Sequence, residues 1–391
     1  MRLKLENNSP APALFLCRAD FRFAASVWLL SRLFIAFFAH AGHLSHPFRE
    51  AIPGGFSGVS HWWLNVWTTY DTEHFFAIAQ NGYTAKTSAF FPLYPLLLKP
   101  FAFDQNAMAL AGVVVSNAAF FGALALFLSL SRHQLGEELG RKSVWILAFF
   151  PSAVYSMAVY TEAVFLLFLL SALWFARQNR WILAALFGVL AALTRNAGPI
   201  LAAALLVEWF LQRRAPRASS EGVSAPWTAL CALAPLAAFV GMQLYFRDQF
   251  GSVALLAAQQ EFGRAFSWPW LPIWRDLLHS FEGNLNLVTL LNVIASVAVF
   301  VLAWKHRRRL AAPDLIFMCG VMLMQLLFSR IWPPYTISSL RYVLTTPAFS
   351  QAIALEFEAR STKRVKLFLQ ICALLLCAAI SFLFGLKAFV S

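Results

Sequence analysis

MALAGVVVSNAAFFGALALFLSL, residues 108–130, contains no charged side chain, and only Ser116, Asn117 and Ser129 are polar. As a helix it would run roughly 35 Å, longer than the ~30 Å of hydrocarbon in a bilayer. Working outward, comparable apolar runs occupy 23–40, 144–158, 161–176, 181–193, 197–211, 226–246, 285–304, 314–329, 341–355 and 367–388. The pattern predicts an all-α integral membrane protein with about eleven spans, a single polytopic domain over residues 1–391. Composition agrees: 60% of residues are hydrophobic and 13% charged, against roughly 25% charged in soluble domains. A mean hydropathy of +0.64 excludes a water-soluble core. The five cysteines lie in apolar stretches without metal-ligand spacing, so neither disulfides nor a metal site is expected from them.

The net charge of +13 does not indicate nucleic acid, because the basic residues lie between the apolar runs. With the N-terminus in the cytoplasm and alternating spans, one side collects Arg18, Arg22, RHQLGEELGRK (132–142), RQNR (177–180), QRRAPR (212–217), KHRRR (305–309) and EARSTKRVK (358–366). This is the asymmetry the positive-inside rule requires. The loop 41–107 then faces away from the cytoplasm. A signal peptide is the rival reading of the N-terminus, with Ala39-His40-Ala41 as its cleavage site. Arg32 interrupts that run, and the run exceeds a usual signal core, which favours an uncleaved first helix.

Within the outer loop, YDTEHFFAIAQNGYTAKTSAFFPLYP (70–95) is unusually polar for this chain. Thr68 and Thr69 are candidate caps for a short helix that Gly82 ends. On it Asp71, His74, Phe75 and Ile78 share a face by their spacing, while Glu73 falls elsewhere. The apolar members would seat the helix at the membrane interface, with Asp71 and His74 at the water–lipid boundary. The plainer alternative is an amphipathic loop helix whose acids are merely solvated.

Asp71 to Tyr83, followed by Ala89 to Pro95, resembles the first lumenal loop of the GPI mannosyltransferase II (PIG-V) family. PSAVYSMAVYTEAVF (151–165), LTRNAG (193–198) and the Arg341-Tyr342 pair resemble later segments of the same family. Tyr70 stands where that family usually has Trp, and the acidic residue often found after Gly-Tyr is absent. The resemblance implies a GT-C glycosyltransferase with a helical first extracytoplasmic loop. Such an enzyme moves mannose, with inversion, from a polyprenyl-phosphate carrier to a glycolipid or glycan acceptor. It implies Asp71 as the catalytic carboxylate and Glu73, His74, Tyr83, Glu162, Arg195 and Arg341 as substrate-binding residues, with no cofactor or metal ligand set. An inverting transfer needs a base for the acceptor hydroxyl. The departing phosphate needs cations, and guanidinium matches its oxygens. Arg264 and Arg330 are weaker candidates for that role.

Two alternatives stay open. One is a GT-C enzyme using another lipid-linked sugar, since mannose rests on the resemblance alone. The other is a lipid or sugar transporter or flippase. Transporters concentrate ionisable groups inside the bilayer, whereas here only Arg32 and Glu208 are candidates for such positions.

Overall fold

The computed structural model describes residues 15–45, 58–214, 226–251, 259–260, 262–281, 286–359 and 362–387. Most of the apolar runs become helices. The first loop follows α1 (Arg18–Ser45) and contains α2 (Trp62–Asn65), α3 (Asp71–Asn81) and α4 (Leu93–Leu98). Next come α5 (Gln105–Leu135), α6 (Glu137–Ala148), α7 (Glu162–Arg177), α8 (Trp181–Ala192), α9 (Gly198–Arg214) and α10 (Pro226–Phe250). A short strand, β1 (Arg264–Phe266), precedes α11 (Trp270–Phe281), α12 (Leu287–His306) and α13 (Ala312–Leu327). Strand β2 (Phe328–Arg330) then leads into α14 (Ser339–Leu344), α15 (Pro347–Ala359) and α16 (Lys363–Gly385).

The residues at 108–130 lie inside α5, whose ends follow ordinary capping chemistry. Asp104 accepts from the Ala107 amide at 2.8 Å, and Gly136 takes the positive φ of +88° that ends the helix. Among the described residues five helices are long and apolar enough to cross a membrane unaided: α1, α5, α10, α12 and α16. That is fewer than the eleven or so expected. Two further apolar helices, α8 and α13, are shorter.

Two of the expected spans are divided. The 144–158 run is helical only to Ala148, shortly before Pro151, which disfavours helical backbone at Phe150. A single 3-10 turn, Ala153–Ser156, follows. The 341–355 run is split by Thr345 and Thr346 ahead of Pro347 into α14 and α15. The all-α expectation also misses one feature: β1 and β2 pair antiparallel, with Arg264 opposite Arg330 and Phe266 opposite Phe328.

Ion pairs gather helix ends at one pole of the bundle. Asp20 at the start of α1 meets Arg132 near the end of α5 at 2.6 Å. Arg177 at the end of α7 pairs with Asp314 at the start of α13 at 2.6 Å, and Lys142 joins Glu358 at 2.6 Å. The first and last described helices cross closely. A side-chain carbon on Gly385 would sit 1.8 Å from the Ala39 carbonyl oxygen, and one on Gly42 would sit 2.1 Å from that of Phe382. Only glycine permits backbones to approach in this way.

Candidate active site

At the opposite pole the first loop, the irregular 149–161 segment and the turns before α9 and α14 converge. Their backbones are stitched together. The Val159 amide donates to the Trp67 carbonyl at 3.1 Å, Thr72 Oγ1 to the Val159 carbonyl at 3.2 Å, and Tyr160 Oη to the Thr69 carbonyl at 2.9 Å. Buried irregular backbone needs such internal partners.

Asp71 is the first residue of α3, as expected, and Gly82 ends that helix with φ +83°. The cap differs from expectation. Tyr70, not a threonine, holds the capping position with φ 45°, an uncommon conformation for a side chain of its size. Its hydroxyl donates to the Lys387 carbonyl at 2.5 Å, which fixes it from the far end of α16. Thr69 turns its hydroxyl toward Tyr160 at 3.3 Å instead of toward the helix. The helical-face expectation does match the burial pattern: Phe75 and Ile78 are buried and Glu73 is exposed.

Arg341 organises the charges. Its Nη1 donates to Asp71 Oδ2 at 2.7 Å, while its Nε donates to Glu162 Oε1. Its guanidinium also lies over the rings of Tyr160 and Tyr155, at 4.6 and 5.1 Å from their centroids. Arg195 reaches the same Glu162 oxygen at 2.6 Å and Thr161 Oγ1 at 2.9 Å, and it rests on the Tyr342 ring at 5.1 Å. Glu162 is only 1% exposed, and its Oε2 is buried with no hydrogen-bond partner among the described residues. Asp71 keeps 29% of its side chain accessible. One carboxylate is thus sealed inside the protein while the other faces open space.

That space is a cavity of about 300 Å³ whose lining includes Tyr70, Asp71, Arg195, Arg264, Arg330 and Arg341. Six of the residues singled out from sequence therefore gather here: Asp71, Arg195, Arg264, Arg330 and Arg341 line the cavity, and Glu162 lies behind Arg195 and Arg341. Three do not join them. Glu73 is exposed. Tyr83 donates to the Phe90 carbonyl at 3.0 Å and packs on Phe246. His74 stacks on Phe90 at 4.5 Å and meets Phe262 edge-on at 5.5 Å. Burial lowers the His74 pKa below 6.5, against the opposing pull of Asp71 and Glu73. Tyr160, Asn196 and Tyr342 also line the cavity and were not singled out. All three had only their place in the matched segments to signal them. Among the described residues no group of three or more His, Cys, Asp or Glu side chains is placed to hold a metal. The position between Asp71 and Glu162 belongs to a guanidinium.

Residues 21–213 match the sequence model of the family described as Mannosyltransferase (PIG-V). No curated protein matches the chain. Among solved structures, the oligosaccharyltransferase of Archaeoglobus fulgidus in its apo form aligns over 94% of this chain and 56% of its own, at TM-score 0.51 and 12% identity. The shared property at that identity is the fold, and the chain spans little more than half of that enzyme's length. The same protein with zinc and sulfate covers 93% of this chain and 53% of its own, at TM-score 0.47 and 12% identity. With an inhibitory peptide and a dolichol-phosphate it covers 96% and 57%, at TM-score 0.48 and 12% identity.

Proposed function

With residues 21–213 assigned to the mannosyltransferase (PIG-V) family, we propose that this multi-pass membrane protein is a glycosyltransferase. In this reading it transfers a mannosyl residue, with inversion, from a polyprenyl-phosphate carrier to a glycolipid or glycan acceptor outside the cytoplasm. The observation that carries the reading is the Asp71–Arg341–Glu162 bridge at the wall of the arginine-rich cavity. It joins carboxylates from the first turns of two helices, α3 and α7, and Asp71 and Arg341 line the cavity.

The chemistry follows from the two environments. Arg341 holds Asp71 through Oδ2, so an acceptor hydroxyl can approach Oδ1 from the cavity. As that hydroxyl oxygen bonds to the anomeric carbon, its proton passes to Asp71. The bond from that carbon to the phosphate oxygen breaks on the opposite face, and polyprenyl phosphate departs with the electron pair. The leaving group is already anionic and needs positive charge rather than a proton. Glu162 anchors Arg195 and Arg341 beside the reacting carbon, and their N–H groups not bonded to carboxylate can reach the phosphate.

The test is transfer by the purified protein in lipid from a panel of radiolabelled polyprenyl-phosphate sugars, with the anomeric configuration of the product read by NMR. Transfer from mannosyl carrier with inverted configuration is the expected result. A folded protein that transfers no sugar from any carrier would overturn the proposal.

A further inference from the structure

The β1–β2 ladder separates the cavity containing Asp71 from a second one of about 190 Å³, and Arg330 lines both. The second cavity is largely apolar, lined by Phe266, Trp268, Leu271 and Ile331, with Arg275 beside them. Its rim faces outward: Phe266 is 65% and Trp268 58% exposed. α11 adds the exposed Trp270 and Trp274 along the same face. Tryptophans in this arrangement mark the level of lipid headgroups. One arginine therefore stands where an apolar groove at the membrane surface meets the polar site.

The charge balance singles out the same residue. Asp71 and Glu162 offset Arg341 and Arg195 through direct contacts. Arg264 faces Arg330 across the ladder, and its Nη1 donates to the neutral Gln325 at 2.9 Å. Among the described residues neither Arg264 nor Arg330 has a carboxylate within ion-pair distance. Burial, with the neighbouring Arg264 charge, lowers the Arg330 pKa, a repulsion that a bound anion would relieve. Two positive charges with no carboxylate partner among the described residues match the two negative charges of a departing phosphate monoester better than the single charge of the diester donor. A site so charged favours the broken bond.

We propose that the groove of Phe266, Trp268, Leu271 and Ile331 receives the first isoprene units of the lipid carrier, while Arg330 and Arg264 grip its phosphate at the boundary between the cavities. This rests on the polyprenyl-phosphate reading above. All four arginines line the same cavity: Arg341 and Arg195 hold the carboxylates and meet the phosphate from the side of Asp71, while Arg330 and Arg264 grip it from the side of the groove.

The test uses the full chain in lipid nanodiscs with farnesyl monophosphate bearing a terminal benzophenone, and crosslinked peptides are mapped by mass spectrometry. Crosslinks are expected within 266–274 and 328–332, competed by unlabelled undecaprenyl phosphate. Arg330→Ala should weaken competition by about tenfold to a hundredfold, the loss expected for a charge-assisted hydrogen bond. Leu271→Trp, which fills the groove without touching a charge, should reduce crosslinking, whereas Asp71→Asn should leave it intact. Competed crosslinks on other helices would overturn the groove and leave the donor reading standing. Labelling that no polyprenyl phosphate competes would overturn both.

Discussion

Removing Arg341 strands a buried charge, and the structure fixes how much of that cost a second substitution returns. In Arg341→Ala, Glu162 loses one of its two cationic partners while remaining 1% exposed, and Asp71 loses the guanidinium 2.7 Å away. Breaking a buried pair from one side costs about 3–5 kcal/mol. Arg195 still holds Glu162 at 2.6 Å and Asp71 is partly accessible, so the lower end applies, about 3 kcal/mol. Glu162→Gln removes the charge that Arg341→Ala leaves uncompensated. The double variant should therefore lose less than the two singles together, with a coupling of about 1–2 kcal/mol. The assay is unfolding of the purified protein in mixed micelles over an SDS titration, run as a four-member cycle. Strict additivity would refute the bridge as an energetic unit. Arg341→Lys restores the charge but reaches one carboxylate instead of two, so it should fall between parent and alanine.

Asp71→Asn should lower turnover about 10²–10⁴-fold with carrier binding retained, while Glu73→Gln keeps most activity; a dead Glu73→Gln beside an active Asp71→Asn would reverse the assignment. For His74, whose folded pKa lies below its unfolded value of 6.5, the stabilising contribution is present above that value and lost as pH falls through the folded pKa. Melts at about pH 5 and pH 7 should thus differ more in the parent than in His74→Phe, and equal pH sensitivity would exclude His74 as the cause. Exposed Asn81, replaced by cysteine on a background lacking the native cysteines, should react with an impermeant thiol reagent in intact cells. Labelling only after lysis would invert the membrane orientation.

Much of this architecture is legible in hydrophobic pattern alone, because a bilayer forces backbone groups to pair within each apolar run. The pattern fails where the chain stays apolar but leaves the helix. The 144–158 run reads as a span, yet it leaves the helix after Ala148, and the Val159 backbone that follows bonds to the first loop through the Trp67 carbonyl and the Thr72 hydroxyl. Asp71 and Glu162 stand out because carboxylates are rare in this chain. That Arg341 joins them is a tertiary fact, since the residues it bridges are 270 and 179 positions away. Arg264 and Arg330 carry the weakest local signal. Strands of three residues have no readable alternation, so nothing nearby in sequence shows that the two arginines face each other.

The bond from Tyr70 to Lys387 spans 317 positions, and this separation has a consequence in time. At roughly 5–20 residues per second of synthesis, the loop bearing Asp71 waits on the order of tens of seconds before α16 exists to hold Tyr70 in its strained conformation. Until then the geometry around the carboxylate lacks its last restraint. Under the proposed function, the site is complete only after the closing helix packs against the first.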